Sequence, residues 1–128
     1  MDGWFWVRIG AVVGFLAVST GAFGAHGLSD RLKATGRLAN YETAVQYQMY
    51  HALALMAVGL LSLAGRSDRA LSVAGWGFLV GTALFSGSLY ILSLTGDKRL
   101  GMVAPIGGVA LLIGWLALAV ATGRSSRP

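Results

Sequence analysis

The chain has 128 residues, 55% of them hydrophobic and 12% charged, with ten Lys and Arg against five Asp and Glu for a formal charge of +5. A soluble domain is about 25% charged, so this chain cannot coat a water-facing surface of its size. It has no cysteine, which excludes disulfides, thiol catalysis and thiolate metal or iron–sulfur centres.

The length suits one domain over residues 1–128, since no segment has the polar content of a second. The first apolar stretch, Ile9–Ala25, lies between Arg8 and Asp30. Trp4, Phe5, Trp6 and Val7 lengthen it, and Arg8 can snorkel to the head groups, so a spanning helix is predicted over 4–25. Arg8, the apolar run and the small residues Gly21–Ala25 also resemble a signal peptide; the segment is read as a retained helix. From His26 to Tyr41 the chain is more polar. Ser29 as N-cap and Gly36 as terminator predict a short helix here. Leu28, Leu32, Thr35 and Ala39 fall on one side of it, and Lys33, Arg37 and Asn40 on the other. That suits a helix lying in the membrane interface, with an irregular polar loop as the alternative.

Three more uninterrupted apolar stretches follow, predicting helices over 43–65, 70–95 and 101–123. Each meets the requirement of about 20 apolar residues for a crossing. Barrel strands would need about ten residues of alternating polarity, and backbone groups in lipid must be satisfied internally. The connections Arg66–Arg69 and Asp97–Arg99 are short, which makes the last three spans antiparallel neighbours. The expected fold is an all-α membrane protein, a compact bundle of four transmembrane helices with a short interfacial helix between the first two. Flanking charges set orientation. Arg8, Arg66, Arg69, Arg124 and Arg127 fall on one side, and Arg31, Lys33, Arg37, Lys98 and Arg99 on the other. This is an even split, and the tight flanking by Arg66, Arg69, Arg124 and Arg127 tips it toward cytoplasmic termini. The same basic residues suit anionic lipid head groups rather than nucleic acid.

Small residues recur at helical spacing: Gly10, Gly14, Ala17, Gly21 and Ala25; then Ala74, Gly77, Gly81 and Ser88; then Gly107, Gly114 and Ala121. In lipid, helices associate through close packing at such stripes. Gly14→Leu and Gly81→Leu are expected to loosen the bundle. The stripes serve packing within the chain or between copies equally well. Gly14-Phe15-Leu16 and Gly77-Phe78-Leu79 also echo each other, as a duplicated helical hairpin would.

Most of the chemistry sits at the start of the second span: Tyr41, Glu42, Gln46, Tyr47, Gln48, Tyr50 and His51. At 100° per residue, Tyr41, Gln48 and His51 share a face with Tyr47 at its edge, and Glu42, Gln46 and Tyr50 point the other way. His26 closes the first span toward the same membrane surface. Ser86, Ser88, Tyr90 and Ser93 end the third span there, and Pro105 opens the fourth. A polar vestibule is expected where the second span begins, the third ends and the fourth begins. Ionisable residues within a membrane point to function by default. Here, aromatic-belt tyrosines and hydrogen-bonding glutamines account for the same residues structurally. No metal or cofactor is expected: His26 and His51 lie at different depths, and Glu42 is the only acid nearby.

Gly21-Ala22-Phe23-Gly24-Ala25-His26-Gly27-Leu28, Tyr41-Glu42-Thr43-Ala44-Val45-Gln46-Tyr47-Gln48-Met49-Tyr50-His51-Ala52, and Pro105-Ile106-Gly107-Gly108 with Trp115 resemble the YwdK-like family, domain of unknown function 423. The resemblance covers nearly the whole chain. It implies a small four-helix protein of the bacterial inner membrane and no activity. The function expected is a non-enzymatic scaffold or accessory protein that binds lipid or a partner membrane protein. A small oligomeric, proton-coupled transporter using His51 is the alternative. An enzyme would need a positioned acid–base pair, for which only Glu42 with His26 or His51 is available.

Overall fold

The structure, a computed structural model, describes residues 2–123; Arg124 and Arg127, two of the charges used above for orientation, lie outside them. The described residues form α1 (Gly3–His26), α2 (Ser29–Ala34), α3 (Leu38–Leu63), α4 (Arg69–Thr95), a 3-10 turn (Lys98–Met102) and α5 (Ala104–Gly123), with no strand.

Local signals set most of the helix ends. Asp2 Oδ1 accepts from Phe5 N, and Asp68 Oδ1 accepts from Leu71 N, both at 2.9 Å. These two carboxylates start α1 and α4. Gly36, Gly65 and Gly96 have φ of +71°, +95° and +74° and end α2, α3 and α4, a backbone region that favours glycine. Two boundaries differ from the sequence reading. Ser29 is the first helical residue of α2 rather than its cap; Leu28 holds the cap position with no side-chain bond. The second long helix starts at Leu38 rather than 43, because the Gly36 turn lets a new helix begin at once.

By length and composition, Gly3–His26, Arg69–Thr95 and Lys98–Gly123 are long and apolar enough to cross a membrane. α3, with 26 residues, is longer than α1. It falls short in apolar content because glutamines, tyrosines and His51 crowd its first half.

α1 packs on α3, α3 on α4, and α4 on α5, while α1 and α5 do not pack on each other. The two hairpins that the Gly14/Gly77 echo pairs, α1 with α3 and α4 with α5, are packed alike, but no α1–α5 pairing mirrors the one between α3 and α4. Glycine makes the two outer pairings close. A Cβ on Gly10 would stand 2.8 Å from Ala52 O, and one on Gly81 would stand 2.8 Å from Leu111 N. A Cβ on Gly77 would stand 3.0 Å from Gly114 and Ala110 O, and one on Gly107 would run into the Phe85 backbone. Gly21 sits nearer the limit, 3.2 Å from Val45 Cγ1. Gly14 is the exception among the predicted packing glycines. Its Cβ would make an ordinary 3.7 Å contact with Ala52, because α1 and α3 are less tightly apposed there. Trp6, Leu55, Val58, Leu71, Phe78 and Leu111 form the core. At the end opposite α2, Trp6 lies edge-on to both Phe5 and Trp76 and covers Gly75.

Three of the arginines bond to the ends of neighbouring helices. Arg31 Nη2 donates to Leu94 O (3.1 Å) and Arg37 Nε to Ser93 O (2.9 Å), both at the C-terminus of α4. Arg66 Nη1 donates to Ala121 O (2.9 Å) near the end of α5. The last carbonyls of a helix lack intrahelical donors, and a cation there also meets the negative end of the helix dipole.

Candidate functional site

The i, i+3, i+4 pattern of α3 turns Tyr41, Ala44, Gln48, His51, Ala52 and Leu55 inward and leaves Glu42, Gln46, Tyr47 and Tyr50 exposed. The face assignment from 100° spacing is therefore the observed one for the buried set. The inward polar groups bond to one another or to backbone. Gln48 Nε2 donates to Val13 O (3.1 Å), and its Oε1 accepts from Tyr90 Oη (2.6 Å). Thr20 Oγ1 lies 2.9 Å from Tyr90 Oη, and its single proton is shared between that oxygen and the Leu16 carbonyl of its own helix, also at 2.9 Å. Tyr41 Oη donates to Thr20 O (2.6 Å), and Ser86 Oγ to Ala44 O (2.8 Å). A continuous polar seam thus ties α1, α3 and α4.

His51, 4% exposed, stands on the other side of this seam. Trp115 Nε1–H donates to His51 Nε2 at 3.0 Å. Nδ1 therefore carries the ring proton and donates to Tyr47 O at 2.6 Å. Both nitrogens of the neutral ring are engaged, and Phe78 and Trp115 pack around it.

Two of the clefts beside α3 hold most of the candidate residues. The larger, about 740 Å³, lies between α3 and α5, where these helices do not pack backbone to backbone. His51, Phe85 and Trp115 lie along it with Tyr47 and Pro105, and the exposed Tyr50, Leu53, Val109 and Leu112 border it. Its size and apolar, aromatic lining are those of a small-molecule site. The smaller cleft, about 420 Å³, lies among the end of α1, α2 and the start of α3, and includes Ser29, Lys33, Tyr41, Glu42 and Gln46.

Where the vestibule is expected, at the start of α3, end of α4 and start of α5, Gln48 and Tyr90 bond to each other and Tyr41, Ser86 and Ser88 to backbone, while a cleft with Lys33, Glu42 and Gln46 opens on the α1 side. Ser88 is buried and donates to Phe85 O of its own helix. Pro105, second residue of α5, lines the apolar cleft instead. His26 is exposed at the end of α1, apart from His51. Among the described residues no three His, Cys, Asp or Glu side chains gather as metal ligands would.

Sequence reasoning missed Thr20 and the His51–Trp115 bond. A signal existed, since a buried indole N–H needs an acceptor, but the 64 residues between the partners hid which one. Thr82 Oγ1 is the one buried side-chain polar atom without a partner among the described residues. It lies in a third cleft of about 220 Å³ with Gln48, Ser86, Gly87 and Tyr90.

Apolar helices that satisfy their own polar groups internally define an integral membrane protein. The chain belongs to the family described as Protein of unknown function (DUF423), whose profile matches residues 20–108. It is 47% identical over 116 residues to a UPF0382 membrane protein of Staphylococcus epidermidis, covering 91% of this chain and 93% of the relative. It is 45% identical over 115 residues to the UPF0382 membrane protein YwdK of Bacillus subtilis, covering 90% and 93%. A UPF0382 membrane protein of Haemophilus influenzae is 43% identical, with 90% of each chain covered. No solved structure matches the chain.

Proposed function

We propose that the protein is a non-enzymatic, four-span protein of the cell's inner membrane that holds a lipid or similar long apolar molecule in the α3/α5 cleft. The carrying observation is the cleft itself: about 740 Å³, apolar, and bordered by outward-facing side chains of α3 and α5. A bilayer lipid reaches such a cleft sideways, without crossing water. The His51–Trp115 bond supports the same reading, because it satisfies the ring nitrogens of both side chains where they line the cleft. α3 counts as the fourth span on its length, about 39 Å at 1.5 Å per residue, and on the inward turn of Tyr41, Gln48 and His51.

Native mass spectrometry of gently extracted protein tests this, comparing the wild type with Gly108→Phe. Gly108 lies in the cleft, and a Cβ there meets only Phe85 Cδ2, at 3.9 Å, so the variant fills the cleft without straining the fold. A lipid retained by the wild type and lost from an equally stable variant is the expected result. Equal retention by both would defeat the proposal. A closed oligomer without lipid would favour transport between protomers. His51 would then have to leave Trp115 to carry a proton, and flux should fall in His51→Ala.

A further inference from the structure

From the smaller cleft we infer a second, separate site, one that recognises a zwitterionic phosphate–ammonium head group of the phosphoethanolamine type at the membrane surface. Three stripes of helical spacing meet there: Gly21, Gly24 and Ala25 of α1; Ser29 and Lys33 of α2; and Glu42, Val45 and Gln46 of α3. Lys33 and Glu42 line the same cleft, yet neither side chain is hydrogen-bonded or ion-paired, to the other or elsewhere among the described residues. Opposite charges that share a cleft without closing on each other leave room for a ligand carrying both complementary charges. Lys33 with the Ser29 hydroxyl suits a phosphate, and Glu42 with the Gln46 carbonyl oxygen suits an ammonium.

The surroundings narrow the class. Arg31 and Arg37, the other cations of this segment, are bonded to α4 carbonyls. The cleft thus offers one cation and one anion and does not favour a purely anionic head group. Quaternary ammonium groups are held by aromatic cages, whereas Tyr41 is the one aromatic residue here. A carboxylate instead accepts hydrogen bonds from a primary ammonium. Below the charges, Gly21 and Val45 give the cleft an apolar floor, which suits the start of a lipid tail and makes a bilayer lipid the source.

The full chain, extracted in mild detergent, is exchanged into equal amounts of phosphatidylethanolamine, phosphatidylcholine and phosphatidylglycerol, and retained lipids are counted by native mass spectrometry. Phosphatidylethanolamine should predominate. Glu42→Gln and Lys33→Gln should each cut its retention about tenfold, the loss of one charge-assisted hydrogen bond, and Glu42→Gln should shift the residue toward phosphatidylglycerol. Both side chains are exposed, so thermal stability should hold and a folding defect is separable. Free phosphoethanolamine binding without lipid would support the same chemistry with a soluble source. Lipid ratios unchanged in both variants would overturn the site. Gly108→Phe should leave these ratios intact, so loss of the α3/α5 cleft and loss of this site read out independently.

Discussion

At the scale of single residues, His51 shows how a histidine is accommodated among apolar helices. Its ring accepts from Trp115 and donates to Tyr47 O, so removing either partner strands a polar atom. Trp115→Phe should lower stability in detergent by about 1 kcal/mol, the order of interhelical hydrogen bonds in membranes. A double-mutant cycle with His51→Phe should recover that energy as coupling; independent, additive effects would mean that the bond contributes nothing. The glycines divide as sharply. Gly10→Ala should cost roughly 1–3 kcal/mol, because the new methyl meets Ala52 O and Met56 N, which cannot swing aside. Gly14→Ala should be close to neutral, as should Gly87→Ala, which meets nothing within 4 Å. Melting curves of the three variants check the order. All these glycines are equivalent in the sequence. Which of them touches backbone depends on how α1 crosses α3 and α4 crosses its neighbours, and spacing alone does not record that.

At the scale of elements, α3 is the helix whose pattern revealed most. Its inward and outward faces were legible because 100° per residue fixes relative direction once a helix is granted. Its start was not, because the Gly36 turn allows α2 and α3 to follow almost without a loop. The helix-end bonds of the arginines were hidden for a related reason: a charge beside an apolar run looks the same whether or not it also reaches a neighbouring helix end. Arg37→Met should leave Ser93 O without its side-chain donor and speed amide exchange in the last turn of α4; protection equal to wild type would show that the bond is dispensable. In the α4–α5 connection, Asp97 bonds the Arg99 side chain and backbone N, and these bonds hold its carboxyl below the ordinary carboxylate range. A depressed pKa means the contribution is present above the unfolded value and lost as pH falls through the folded one. The connection should therefore loosen only in acid, and Asp97→Asn should remove that step from a pH series of exchange rates; the contact is fully exposed, so the effect is small.

At the scale of the whole molecule, the open question is the path of α3. Four crossings put the two termini on the same side of the membrane, and three put them on opposite sides. Reporter fusions at each end, one active only in the cytoplasm and one only outside it, should report a common side. Opposite sides would mean that α3 stays in the interface and that the clefts beside it do not open at the depth proposed. The packing order α1–α3–α4–α5 leaves α3 and α4 as the central pair. It also explains the larger cleft: α5 seats closely on α4 and stands off α3, which it meets through the His51–Trp115 bond.

The sequence by itself determined the class of protein, the approximate extent of the helices, the inward face of α3 and the family. Each rests on information that is local along the chain: scarcity of charge, the length of apolar runs and a 3.6-residue period. Tertiary structure decided what each polar atom bonds to, where the clefts open, which glycines are indispensable and which arginines cap helices. Those outcomes join residues as far apart as Thr20 and Tyr90, 70 positions along the chain. They follow from how each helix is rotated and tilted against its neighbours, a relation set by side-chain packing across helices rather than by any one segment.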